Sequence, residues 1–332
     1  MHSSLAAIFD KAKETPGIIA LPESRDERVV QAAQELANSK LAFPVLIANS
    51  DTIDNLNDLD GFIQCSLDDL SSSSNAKNGG VIVNMDLADN SDKLQQLKQE
   101  HLNKNLDEPL TPITVGAMLL SANLVDGMIA GATCPTATVI RAGIKLVGLA
   151  PQTKTVSSCF LMLADDEPLI FADCAIVPQP NPEQLADIAI ASADIYQKLC
   201  GKSPKVAMLS FSTKGSAKHR DVDKVQEALS ILGSRNPDFE YDGELQFDAA
   251  IDKAVAKSKA PSSSIAGSAN VFIFPDLNSA NIGYKIAQRL GGIPAIGPLI
   301  MGLKYPLMDL SRGCSSDDIT TLGAITSVMT KC

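Results

Sequence analysis

Two periods of apolar residues alternate along this chain of 332 residues. Short apolar runs, GIIALP at 17–22, FPVLIA at 43–48 and GVIVN at 80–84, predict buried strands. Between the first two lies DERVVQAAQELANS at 26–39, where apolar residues recur at helical spacing behind an Asp suited to an N-cap. That segment predicts an amphipathic helix. Further helices are predicted over 3–13 and 112–123, a strand at 127–129, and a loop running into a helix that carries Arg141 over 130–149. Strands alternating with helices argue for an α/β domain with a mainly parallel sheet. The Asp-, Asn- and Ser-rich stretch 50–79, with SSSSN at 71–75, predicts a surface excursion.

After Pro151 the pattern changes. Two closely spaced strands, 156–164 and 169–173, predict a hairpin. Asn181, Pro182 and Glu183 open a strongly amphipathic helix that runs to 199. Strands at 206–211, 271–275 and 295–300 are interleaved with helices at 221–232, 248–257 and 280–290, and a last helix spans 316–330. Length alone suggests two domains or one large one.

Composition fits a globular protein with a real core, 45% hydrophobic and 20% charged. Asp and Glu outnumber Lys and Arg 39 to 28, a net charge of -11. That balance excludes a surface that wraps nucleic acid, but not a small anion held by a few local arginines. Trp is absent and aromatics are 4%, which argues against a base-stacking platform. No run of about 18 apolar residues predicts a membrane span. Asp10, Lys11, Lys13 and Glu14 interrupt the start of the chain, so a secretory signal is not expected. The seven cysteines are scattered without a CxxC, and His2, His101 and His219 have no ligand spacing, so no structural zinc is expected. Reduced thiols and a cytoplasmic location follow as expectations.

The segment richest in chemistry is MDLSRGCSSDDI at 308–319. Ser315 or Ser316 can cap the last helix, with Asp317 and Asp318 in its first turn, where carboxylates meet the positive end of the dipole. The other reading gathers Ser311, Arg312 and Asp318 as hydroxyl donor, fixed cation and base, a set suited to acyl transfer. Local sequence does not separate the two. Thr133 and its small neighbours stand at a helix start, where backbone N–H groups suit a phosphate, though a plain helix N-terminus accounts for them equally. Ser157 and Ser158 read as ending a strand, either facing the substrate site or solvated as strand-edge serines are. STKGS at 212–216 lacks the GxxxxGK[ST] spacing and reads as a turn. Asn281 and Lys285 are four apart on one helix face, with Tyr284 between them. Cys159 and Cys314 read as packing rather than as nucleophiles.

Several long motifs recur in order. They are LPESRDERVVQAA at 21–33, VDGMIAGATCPTATVIR at 125–141, FADCAIVPQPNPEQLADIAI at 171–190 and VAMLSFSTKGSAK at 206–218. YDGELQFDAA at 241–250, AKSKAP at 256–261, FPDLNSANIGYK at 274–285 and DLSRG at 309–313 complete the set. Together they make the chain resemble the phosphate acetyl/butyryltransferase family over nearly its full length. The resemblance implies reversible transfer of an acetyl group between acetyl phosphate and the thiol of coenzyme A. In that light Asp318 looks like the base that takes the thiol proton, Ser311 the donor to the acetyl carbonyl, and Arg312 and Arg141 the cations that hold substrate, and the helix of Asn281, Tyr284 and Lys285 looks placed at the substrate cleft, with Lys285 as a ligand or as a solvated lysine. Coenzyme A enters as substrate, with no tightly bound cofactor and no metal.

The implied fold is two α/β domains with a cleft between them, an isocitrate/isopropylmalate dehydrogenase-like architecture. Residues 1–149 and 300–332 would form the domain that carries DLSRG, and 150–299 the other. A homodimer is the family expectation. Butyryl transfer, a metal-dependent hydroxyacid dehydrogenase on the same fold, and a ligand-binding relative without turnover are the alternatives. The chain departs from the family at 97–114. A basic Arg-x-x-Lys-Gly stretch is expected there, and LKQEHLNKNLDEPLTPIT offers Lys104 and Lys98 instead. Arg and Lys are not equivalent at a phosphate fork, so either a lysine serves or one phosphate is held less tightly.

Overall fold

The computed structural model describes residues 2–56, 58–65, 79–85, 110–151, 153–164 and 167–330, together with positions 70, 92, 96, 97 and 99. Lys98, Lys104 and the SSSSN run lie outside the described residues. Two compact units divide the chain. The first comprises Ala6–Ala150 and Leu303–Cys332, the second Met1–Leu5 and Pro151–Gly302.

In chain order the strands are β1 (Gly17–Leu21), β2 (Ala42–Ala48), β3 (Phe62–Cys65), β4 (Gly80–Asn84), β5 (Gly127–Ala130), β6 (Ser157–Leu163), β7 (Pro168–Ala172), β8 (Lys205–Leu209), β9 (Glu240–Leu245), β10 (Val271–Ile273), β11 (Ala295–Met301) and β12 (Leu307–Asp309). The helices are α1 (Ser3–Glu14), α2 (Glu27–Asn38), α3 (Ser50–Ile53), α4 (Pro112–Ser121), α5 (Thr136–Ala142), α6 (Pro182–Cys200), α7 (Arg220–Ser234), α8 (Phe247–Ile251), α9 (Lys253–Lys259), α10 (Leu277–Arg289) and α11 (Ser316–Met329).

The first unit is a parallel sheet in the order β12-β5-β1-β2-β4-β3. β4 and β5 are buried at every position, as continuous apolar strands with both faces covered must be. One face packs α4 and α5 over Val45, Ile47, Val81, Val83 and Met128. The other receives α2 and α11, whose Leu36 and Gly323 meet closely enough that a Cβ on Gly323 would lie 2.7 Å from Leu36 Cδ1. β5 lies on the opposite side of β1 from β2, so the winding direction reverses between β1 and β5. In open α/β sheets such a switch point, at the carboxyl ends of the strands, is where ligands bind.

The second unit has the order β11-β6-β7-β10-β8-β9. β6 and β7 form the predicted antiparallel hairpin, β11 runs antiparallel to β6, and the rest are parallel. α6 begins with the expected Asn181 cap, completed by Gln184 into a capping box, and ends at Gly201 in the left-handed conformation. Phe171, Phe272 and Phe274 centre a core cluster on one face.

Three strands escape the hydrophobic pattern. β3 is a half-exposed edge, β9 reads EYDGEL with little β propensity, and β12 is only three residues long. The predicted helix over 248–257 is two helices, α8 and α9. Asp252 breaks it because its side chain accepts from the N–H groups of Ala254 and Val255 and so caps a new start.

Gly323→Ala will overpack the fully buried Leu36 and cost about 1–3 kcal/mol. A lowered urea midpoint checks this, and an unchanged midpoint would mean that α2 and α11 can part without loss.

Candidate functional site

At the switch point of the first unit, the chain leaving β1 places Glu23 beneath the loop that leaves β5. Glu23 is 8% exposed. Its Oε2 accepts from the N–H groups of Gly131 and Ala132, each at 2.8 Å. Its Oε1 accepts from the Thr133 N–H at 2.8 Å and the Thr133 hydroxyl at 2.7 Å. A neutral side chain could not satisfy so many donors from one position. Gly131 has φ +114, and a Cβ there would lie 2.5 Å from Asp309 Oδ1. The loop can approach only as glycine.

Arg28, in the first turn of α2, ties three segments together. Its Nε and Nη2 form a fork on Asp26, at 3.0 and 2.7 Å. Nη2 also donates to the Ala132 carbonyl at 3.1 Å, and Nη1 to the carbonyls of Arg312 and Cys314 at 2.9 and 2.7 Å. The Arg28 hydrogen bonds hold the Asp26 carboxyl below the usual carboxylate range, against its partial burial. The turn after β12 is thereby fixed to the loop after β5.

The Ser311–Arg312–Gly313 turn is exposed. Ser311 Oγ accepts the Gly313 N–H at 3.3 Å. The Arg312 guanidinium makes no hydrogen bond or ion pair among the described residues, and neither does Arg141. Arg141 stands in the last turn of α5, which runs on into a π-helical turn over Gly143–Val147. Such turns often mark functional sites. Asp318 sits at the third position of α11. Its Oδ2 accepts from the Ser315 N–H and hydroxyl, both at 2.9 Å, while Ser315 Oγ accepts the Asp318 N–H at 3.1 Å. The capping box therefore exists, but it uses Oδ2 only. The second oxygen of the exposed carboxylate stays open, so both readings of this residue fit one geometry.

The other expected site residues have partners of their own. The N–H groups around Thr133 do not await a phosphate, because the Glu23 carboxylate already occupies them. Ser158 is fully buried near the start of β6, not at its end, and its hydroxyl is donated to Asp173 Oδ1 at 2.5 Å. It belongs to the interior of the second unit and not to a solvent-facing surface. Asp173 also accepts the N–H groups of Ala175, Ile176 and Val177. Asn281 donates its amide to the Cys174 carbonyl at 3.0 Å. Tyr284 stacks on Phe160 with centroids 4.1 Å apart, and Lys285 lies exposed 5.8 Å from the Tyr284 ring centre. STKGS is a turn closed on Glu244, which accepts from Gly215 N–H at 2.6 Å and Ser212 Oγ at 2.9 Å. Burial pushes the Glu244 carboxyl up, but these donors and Gln226 outweigh it and hold it low.

The thiols near the site are poor nucleophiles. Burial, with Glu23 beside it, pushes Cys134 up to about 12, and burial raises Cys314 despite the opposing charge of Arg28. Among the described residues no group of His, Cys, Asp and Glu is arranged to hold a metal ion, and no helix is long and apolar enough to cross a membrane.

Sequence reasoning missed Glu23, Arg28 and Asp309 as site residues. Each lies inside a motif quoted above, in LPESRDERVV or DLSRG, but nothing local distinguishes Glu23 or Arg28 from the solvated charges of a helix start. Asp309 ends β12 at 2% exposure, with Oδ2 accepting the Thr136 hydroxyl at 2.6 Å. Its Oδ1 is buried with no hydrogen-bond partner among the described residues. Burial pushes its carboxyl up to about 6, with Glu23 adding to the shift and Thr136 opposing it.

Comparison with known proteins gives a consistent picture. Residues 3–327 match the family described as Phosphate acetyl/butaryl transferase. The phosphate acetyltransferase of Paracoccus denitrificans is 40% identical over 333 residues, covering 98% of this chain and 99% of the relative. That of Clostridium acetobutylicum is 41% identical over 330 residues, covering 98% and 97%. The crystal structure of a phosphotransacetylase from Streptococcus pyogenes superposes with a TM-score of 0.84 at 39% identity, covering 99% of this chain and 98% of that one. A 4-hydroxythreonine-4-phosphate dehydrogenase from Klebsiella pneumoniae, at 11% identity and a TM-score of 0.58, shares the fold alone.

Asp309 supplies a pH test. Its folded carboxyl titrates near 6 against about 3.9 in an unfolded chain, so the native state holds the proton more tightly. The group favours folding below about pH 4, and that contribution is lost as pH rises through about 6. Asp309→Asn cannot titrate. The Tm of the variant minus that of the wild type will therefore become more positive between about pH 4.5 and 7.5, as followed by calorimetry. A difference that stays flat would show an ordinary carboxyl.

Proposed function

The chain belongs to the phosphate acetyl/butaryl transferase family, and from that premise we propose that it transfers an acetyl group reversibly between acetyl phosphate and coenzyme A. The observation that carries this reading at the level of the site is the exposed turn of Ser311 and Arg312, followed within one short loop by Asp318, an exposed carboxylate with one oxygen uncommitted. A free thiol has a pKa of about 8.5, so little of it is thiolate at neutral pH. Asp318 takes the thiol proton as sulfur attacks the acetyl carbon. The Ser311 hydroxyl donates to the carbonyl oxygen as it gains negative charge. The new C–S bond replaces the C–O bond to phosphate, which departs with the bonding pair and stays paired with Arg312 and Arg141. Phosphate is a good leaving group, so transfer proceeds directly in a ternary complex without an acetyl-enzyme. Coenzyme A is a substrate and not a resident cofactor. Lys285, exposed beside Tyr284, remains a candidate to bind substrate.

We infer that the chain forms a homodimer. Ile282, Ile286 and Leu290 recur every fourth residue along and just past α10 and are 57%, 53% and 86% exposed. A stripe of that kind supports burial against a second copy.

Acetyl phosphate and coenzyme A mixed with the protein will give a rise in thioester absorbance. Asp318→Asn will lower kcat by about 10²–10⁴ as expected for loss of a general base, and Arg312→Ala will lower kcat/KM. No turnover by the wild type would sink the activity, and full activity in both variants would sink the assignment. In sedimentation, the wild type will run at twice the chain mass and Ile286→Asp at the chain mass. A wild type already at the chain mass would refute the dimer.

A further inference from the structure

Asp309 is poorly explained as packing. Among the described residues no donor meets Asp309 Oδ1 at hydrogen-bond geometry, the nearby Leu310 N–H being committed to the Ala130 carbonyl, and a buried oxygen so placed weighs against the folded state. Glu23, reaching the same loop from the end of β1, adds like-charge repulsion. Cys134 is the other titratable group acting across this loop, and its raised thiol is neutral. Arg28 is turned to Asp26 and to the carbonyls of Ala132, Arg312 and Cys314. An apolar residue in place of Asp309 would spare the fold this cost, and groups retained against stability tend to serve function.

The hydrogen bond its side chain does make points to the use. Thr136 is the first residue of α5, which has Pro135 at its N-cap and no side-chain cap, and Arg141 stands in its last turn. On the other side, the Asp309 backbone is pinned to β5 through its pairing with Ala130 and the Leu310 N–H on the Ala130 carbonyl. Ser311 and Arg312 follow directly. The Asp309 carboxyl thus spans from the strand that delivers one unpaired arginine to the helix that delivers the other.

We propose that Asp309 is a positioning residue, whose bond to Thr136 sets where the Arg141 helix begins relative to the Ser311–Arg312 turn and so how tightly phosphate is held. This rests on the transferase reading for its substrate, but the bond can be tested without turnover.

The test is a double-mutant cycle on the intact chain, read by calorimetric affinity for inorganic phosphate and by the KM for acetyl phosphate. Thr136→Val and Asp309→Ala will each weaken phosphate binding and raise KM by about 5- to 10-fold, the size of one lost hydrogen bond, with kcat moved less. The double variant will be no worse than either single one, because both remove the same bond. Asp309→Asn, whose amide oxygen still accepts the Thr136 hydroxyl, will stay within about 2-fold of the wild type. Thr136 is exposed, so Thr136→Val keeps the test alive if Asp309→Ala fails to fold. Unchanged phosphate affinity in Thr136→Val overturns the proposal, as do losses that add in the double variant or an Asn that does not rescue. A wild type that shows the coupling but makes no thioester loses the transferase reading alone. A chain that makes thioester while the losses add loses the positioning role alone.

Discussion

The arrangement of the first unit's site depends on the carboxylate of Glu23. Loops that leave the carboxyl ends of parallel strands carry N–H groups with no ladder partner, and a buried N–H left unpaired costs about 1–3 kcal/mol. Glu23 takes three such groups and the Thr133 hydroxyl onto two oxygens. The end of β1 and the end of β5 are thereby joined across the switch point. Arg28 then adds the turn after β12 to the same cluster. Without that anchoring, Arg312 would be delivered by a turn shaped from within by the Cys314 N–H on the Ser311 carbonyl and the Gly313 N–H on Ser311 Oγ.

The second unit solves the same problem with Asp173 and Glu244. Anions built into the chain occupy loops that would otherwise resemble anion-binding loops. This changes how the acidic balance reads. Part of the excess of Asp and Glu is structural and buried, while Arg141 and Arg312 remain exposed without partners among the described residues. Local potential at an exposed, unpaired guanidinium such as Arg312 is set more by that charge than by a net charge of -11.

Asp318 shows why two readings of one residue need not compete. A carboxylate has two oxygens. One closes the capping box with Ser315, which fixes the side chain's rotamer at the head of α11, and the other stays open. In the proposed role as base, a carboxylate held by a helix cap is already oriented, so little entropy would be lost when it meets a substrate proton. Asp309 is the counterpart beneath the same turn. It is buried, titrates near 6, and is bonded by Oδ2 to Thr136.

The apolar pattern by itself determined most of the strands and helices, because period and capping residues are local. GIIALP, FPVLIA and GVIVN became β1, β2 and β4, and Asp26, Asn181 and Ser315 cap the helices they precede. The order of the long motifs also determined the family. Tertiary structure alone decided what sits against what. β9 and β12 are strands because neighbours pair with them, not because their residues prefer it. Thr133 and Ser158 turned out to be satisfied inward, by Glu23 and by Asp173, since hydrogen-bond partners at separations of 110 and 15 residues leave no periodic trace. Glu23, Arg28 and Asp309 became site residues for the same reason. Their partners come from other strands, and only the folded sheet brings those strand ends together.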